Sequence, residues 1–141
     1  MAFWRGGDYN FSLIRSSDNQ PQNQAFYAAV PGDQPVSADY DGDGCADYAM
    51  RHGGDWLIRY SATVYAGATS VTIVPWQAGE VAVQNDYDGD GKVDIAVWRS
   101  SDGHWLIRQS GSLAVNGGLR DVQWGQSGDT PVPAFYRRKG N

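Results

Sequence analysis

The segment Asp39-Tyr40-Asp41-Gly42-Asp43-Gly44-Cys45-Ala46-Asp47 returns almost letter for letter, 47 residues on, as Asp86-Tyr87-Asp88-Gly89-Asp90-Gly91-Lys92-Val93-Asp94. Each copy sets carboxylates at the first, third, fifth and ninth positions of a short loop, with glycine at the sixth. Hard oxygen donors at alternate positions, folded back at a glycine, suit Ca²⁺. At the seventh position Cys45 or Lys92 offers its main-chain carbonyl, which leaves the side chain free to vary. An EF-hand would need Glu at the twelfth position, where Met50 and Val97 stand. The expectation is two Ca²⁺ per chain. Asp39, Asp41, Asp43, Cys45 and Asp47 would hold one, and Asp86, Asp88, Asp90, Lys92 and Asp94 the other. The alternative is a metal-free Asp-Gly turn, but two matching clusters of like charge would repel themselves without a cation.

The elements that must position these loops repeat as well. An apolar stretch ending in Arg follows each loop, as Tyr48-Ala-Met-Arg51 and Ile95-Ala-Val-Trp-Arg99. After a polar turn come Asp55-Trp-Leu-Ile-Arg59 and His104-Trp-Leu-Ile-Arg108. The approach to a loop reads Gly32-Asp-Gln-Pro-Val-Ser-Ala38 at one end and Gly128-Asp-Thr-Pro-Val-Pro-Ala134 at the other. The N-terminus fits the same template, with Ala2-Phe-Trp-Arg5 matching Ala96-Val-Trp-Arg99 and Leu13-Ile-Arg15 matching Leu106-Ile-Arg108. Three units result, about 1–37, 38–84 and 85–133, followed by a C-terminal strand. Where a third loop would begin, Arg137, Arg138 and Lys139 stand in place of acids.

Composition fits a single small domain. The chain has 141 residues, 41% hydrophobic and 13% aromatic, enough for a packed core. Its formal charge is −5, and the two loops hold half of its sixteen acids, so the acidity is local rather than a general anionic face. Basic residues are spread singly, which gives no footprint for nucleic acid. No apolar run reaches the length of a membrane span, and no signal peptide is visible. The lone Cys45 excludes an intramolecular disulfide and a cysteine zinc cluster.

The Trp-Leu-Ile-Arg stretches and Val71-Thr-Ile73 are strand material. Eighteen glycines and six prolines leave no window for a long amphipathic helix. The expected class is all-β, with each unit supplying four short antiparallel strands. A four-stranded unit at this period is the sign of a β-propeller blade. The string Gly-Asp-x-Pro-Val-x-Ala-Asp-Tyr-Asp-Gly-Asp-Gly-x-x-Asp-x-Ala, followed by Gly-x-Trp-Leu-Ile, resembles the FG-GAP/VCBS calcium-binding propeller repeats. That resemblance covers essentially the whole chain. It implies Ca²⁺ at the same eight aspartates and a propeller of about seven blades, where this chain carries three.

Three blades do not close a ring, since propellers have four to eight. The expected partner is a second copy. The strand Val132–Tyr136 of one subunit would complete a blade with Ala2–Arg15 of another, giving a six-bladed homodimer. A homotrimer of nine blades ranks second, and an engineered or excised fragment that stays an open arc third.

Function is weighed among three classes. Catalysis has little support, because His52 and His104 fall at non-equivalent turn positions and the loop carboxylates are committed to metal. A scaffold, stapled by Ca²⁺, agrees with every feature. A ligand module for a glycan or protein surface would use aromatic faces beside polar turns, with Trp76, Trp124 and Tyr27 as candidates. The alternative is that these rings pack between blades, the commoner role of repeated aromatics. Calcium loops lacking the bidentate Glu point to weak, extracellular affinity and so to a secreted or cell-surface setting.

Overall fold

The computed structural model describes residues 2–5, 10–14, 18–25, 30–63, 69–72, 79–110 and 119–133. Tyr27, Trp76, Arg15 and residues 134–141 lie outside these. So do the Trp76 and Tyr27 ligand assignments and most of the C-terminal strand expected at Val132–Tyr136. Among the described residues no helix is long and apolar enough to cross a membrane.

The chain is all-β, and its described residues form three antiparallel sheets. The N-terminal sheet has three strands in the order β1 (Ala2–Arg5), β2 (Asn10–Ile14) and β3 (Pro21–Ala25). The middle sheet runs β4 (Gln34–Pro35), β5 (Tyr48–His52), β6 (Asp55–Arg59) and β7 (Thr69–Thr72). The C-terminal sheet runs β8 (Glu80–Ala82), β9 (Ile95–Arg99), β10 (His104–Arg108) and β11 (Leu119–Gln123). Strand order follows chain order in all three, so each is a meander.

The alternation of side chains across each strand builds the cores between sheets. In β6, Trp56 and Ile58 are buried on the face toward the C-terminal sheet, where they meet Val93, Ile95, Val97 and Leu106. Leu57, one residue out of phase, turns to the N-terminal sheet and joins Tyr48 and Met50 against Trp4, Phe11 and Leu13. β5 is buried on both faces, which is why it reads as a continuous apolar run rather than an alternating one. In the C-terminal sheet Leu106 and Val97 face the middle sheet, whereas Trp98, Trp105 and Ile107 lie on the outer face.

The register fixes which residues are equivalent, and it departs from the sequence matching at two places. Trp98 pairs with Trp105, Arg51 with Trp56, and Trp4 with Phe11. Arg51 therefore occupies the position of Trp98, not of Arg99. Phe11 takes the tryptophan position in β2, and Leu13 takes that of Ile107 rather than of Leu106. The cause is the pleat. Only every second residue can face the core, and the N-terminal hairpin seats its aromatic ring there.

Candidate metal centre

Each acidic loop connects the first strand of its sheet to the second. Its base is closed by a single bridge, Ala38 to Asp47 in one copy and Asn85 to Asp94 in the other. Inside, the loop amides turn onto the carboxylates. The amides of Gly42 and Gly44 donate to Asp39 Oδ1 and Oδ2 at 2.7 and 2.9 Å. Those of Asp43 and Cys45 donate to Asp41 Oδ1 and Asp43 Oδ1 at 3.1 and 2.7 Å. The second loop reproduces this set atom for atom. Gly89 and Gly91 donate to Asp86, Asp90 to Asp88, and Lys92 to Asp90, at 2.6 to 3.2 Å. Gly42 and Gly89 sit at φ of +80° and +82°, a turn that a Cβ would strain.

The ninth-position carboxylates differ from the rest in being fully buried. Asp47 accepts from the amides of Tyr40 and Ser61 at 2.8 and 2.7 Å, and Asp94 from those of Tyr87 and Ser110 at 2.9 and 2.7 Å. Burial pushes both carboxyls above the ordinary carboxylate range. Asp43 and Asp90 are held below it, chiefly by hydroxyl donation from Ser61 and Ser110. The Cys45 thiol is exposed and raised, first by the charge of Asp43.

Two carboxylate groups converge closely enough to hold a metal ion. Ligand oxygens of Asp39, Asp41 and Asp43 lie within 4.8 Å of one another, and so do those of Asp86, Asp88 and Asp94. Each loop thus gathers three of its four expected aspartates around one point, while Asp47 and Asp90 stand in the surrounding hydrogen-bond net. Among the described residues no Lys or Arg forms an ion pair with any of the eight. An all-oxygen donor set of carboxylates suits a hard divalent cation and not a thiolate- or imidazole-bound one.

The two loops also touch. The amide of Val93 donates to the main-chain oxygen of Asp39 at 2.8 Å, and the Lys92 side chain lies over Gly42, where an added Cβ would come within 3.0 Å of its Cγ. The seventh-position side chain of one loop therefore covers the fourth position of the other.

Ser61 and Ser110 are the site residues that the sequence reading missed. Each bonds two carboxylates of its loop, one through its amide and one through its hydroxyl. Their signal was present, since both follow Trp-Leu-Ile-Arg after one residue. Of the aromatic candidates, Trp124 is 76% exposed beside the turn at Gly125. Its carbonyl accepts from Trp105 Nε1 at 2.8 Å, and it borders an open cleft of about 420 Å³ with Tyr87, Trp105 and Val122.

Comparison with protein-family models, with curated proteins and with solved structures finds no match to this chain.

Proposed function

We propose that this chain is a calcium-stabilised β-propeller scaffold module of the FG-GAP/VCBS type, not an enzyme. Each sheet is a blade, Ca²⁺ staples the turn between its first two strands, and copies join head to tail into a closed ring. One observation carries the reading. Two loops 47 residues apart share one hydrogen-bond net, down to a serine just past the third strand of the sheet. Independent surface turns would have no reason to share such a net. Face-to-face stacking of the sheets through Trp56, Ile58, Val97 and Leu106 supports a radial arrangement. Two copies supply six blades, within the range that closes, and three supply nine. A module holding calcium this way works where calcium is abundant, outside the cell.

The test is calorimetric titration with Ca²⁺, paired with thermal melting in calcium and in chelator. The expected result is two ions per chain and a higher melting temperature with the metal. No heat of binding, or a melting temperature unmoved by chelator, overturns the reading.

A second reading rests on Trp124 alone. A 76% exposed indole above an open cleft is how a binding module offers a stacking face to a sugar ring or a protein surface. A glycan array probed with wild type and Trp124→Ala separates this use from a purely structural one.

A further inference from the structure

Among the described residues the N-terminal sheet has three strands where the other two have four. By register, β1 is the counterpart of β5 and β9, with Ala2 facing Leu13 as Ala49 faces Ile58 and Ala96 faces Ile107. In the complete sheets a further strand, β4 or β8, lies on the outer side of that element. It is followed by a valine bound in one fixed way. The amide of Val36 donates to the oxygen of Ala49, and that of Val83 to the oxygen of Ala96, both at 2.9 Å. Each valine side chain is buried, 2% exposed for Val36, on the face that carries its own sheet's tryptophan.

The N-terminal sheet keeps the place for such a valine. A cleft of about 340 Å³ opens between it and the middle sheet, lined by Ala2, Trp4, Phe11, Leu13 and Tyr48. The first four are the counterparts of Ala49, Arg51, Trp56 and Ile58, of which Ala49, Trp56 and Ile58 share one buried cluster with Val36.

The segment that fits is at the other end of the chain. Val132 follows Gly128-Asp-Thr-Pro131 as Val36 follows Gly32-Asp-Gln-Pro35. The turn before it is already formed. The amide of Asp129 donates to the oxygen of Gln126 at 3.1 Å, and Asp129 Oδ2 accepts from the amide of Gln126 at 2.9 Å. Asp33 makes the same two bonds with Val30, at 3.1 and 2.8 Å. Yet Val132 is 74% exposed, against 2% for Val36, and borders the outer face of the C-terminal sheet, beyond the middle sheet from β1.

We propose that Thr130–Val132 of one copy adds as a fourth strand to β1 of a second copy, with the Val132 amide on the Ala2 oxygen and its side chain in the cleft. Main-chain bonds supply the attraction and the valine supplies the register. Asp129 then comes opposite Arg5, as Asp33 lies opposite His52, to which it is bonded at 2.7 Å. The same step lays the exposed Phe3 face of the second copy toward Trp105 and Ile107 of the first, covering the outer face as Val97 and Leu106 cover Trp56. This deepens the head-to-tail part of the proposed function by naming the seam, and it does not depend on calcium occupying the loops.

The test is a disulfide trap in the full chain. Pro35 is the register partner of Met50, so its counterpart Pro131 should stand opposite Phe3. Phe3→Cys with Pro131→Cys, in a Cys45→Ser background, is oxidised and run without reductant, after circular dichroism confirms the fold. Linkage between chains at near-complete yield is expected. A link within one chain, or two reactive thiols left unlinked, overturns the proposal. Val132→Asp is the second arm. Light scattering should fall from a multiple of 15.4 kDa to a single chain with the strand signal retained. A mass unchanged by that substitution also overturns the seam. Calcium titration on the same samples reports on the loops separately, so failure of the seam and failure of the calcium reading remain distinct.

Discussion

Arg51 in β5 and Glu80 in β8 form a buried ion pair between two sheets, with Nη2 and Oε2 3.1 Å apart. A second guanidinium nitrogen donates to the Glu80 main-chain oxygen at 3.0 Å, and the guanidinium lies 5.5 Å from the centre of the Trp56 ring. Burial lowers the Arg51 pKa and the Glu80 charge opposes that. Removing one partner strands the other. Glu80→Ala should cost about 3–5 kcal/mol, and the apolar double replacement Arg51→Met with Glu80→Leu should recover most of it. Urea denaturation of the three variants checks this. A double variant no more stable than Glu80→Ala would mean that the pair itself holds the sheets.

Trp56 and Trp105 sit at equivalent positions but not in equivalent surroundings. Trp56 is 1% exposed beneath the next sheet, and its Nε1 donates to the Tyr40 hydroxyl at 3.1 Å. Trp105 is half-buried on an outer face. Trp56→Ala should cost about 3–5 kcal/mol as a large cavity in a core. Trp105→Ala should cost clearly less in dilute chain, with the gap narrowing as concentration rises. Equal costs at all concentrations would contradict the outer-face assignment.

Gly103 closes the turn between β9 and β10 at φ +73°, and a Cβ there would lie 2.3 Å from the Gly125 oxygen. Gly103→Ala must both strain the backbone and push the Trp124–Gly125 segment away. A loss of more than about 1 kcal/mol is expected. Near-ultraviolet dichroism should report it, because the Trp124 amide is bonded to the Gly103 oxygen at 2.8 Å.

Ser61→Ala removes the hydroxyl that holds Asp43, and Ser110→Ala the one that holds Asp90. Each should weaken one of the two proposed calcium sites by about tenfold, the usual scale for a residue that orients a ligand. Threonine at the same position should restore affinity. Two-site calorimetry distinguishes this from general loosening, which would weaken both sites together.

Burial pushes the Tyr87 phenol up to about 12 and the Tyr40 phenol also well above its usual value. A raised folded-state pKa means that stability is fully present below the unfolded value near 10, then lost as pH rises through the folded one. The fold should therefore weaken between about pH 10 and 12. Tyr87→Phe should flatten part of that slope. A Tyr87→Phe profile identical to wild type would refute the assignment.

What the sequence made legible was whatever a short stretch of chain decides for itself. The aspartates, their glycines and the Trp-Leu-Ile-Arg strands interact within a loop or hairpin, so spacing alone displayed the acidic clusters and the all-β class. Arg51 was not legible, because its meaning comes from Glu80, which lies 29 residues away on another sheet. Nor was the seat of Phe11. Sequence matching aligned Leu13 with Leu106, but the pleat admits only alternate residues to a core, and the larger ring took the place. Ser61 and Ser110 were hidden for a third reason, since a serine after a strand is ordinary until the loop it reaches back to has been folded.

The middle sheet has a neighbour packed on each face, through Tyr48 and Met50 on one side and Trp56 and Ile58 on the other. Among the described residues each end sheet packs on one neighbour. In such a stack, stability is a sum of nearest-neighbour terms, so protection against amide hydrogen exchange should peak at β5 and β6 and fall toward both ends. Opening then proceeds inward from the ends like a row of books losing its outer volumes. A copy docked on either end turns an end sheet into an interior one, and the slowest amides of the whole chain would spread outward from β5 and β6 without any change in the contacts around them.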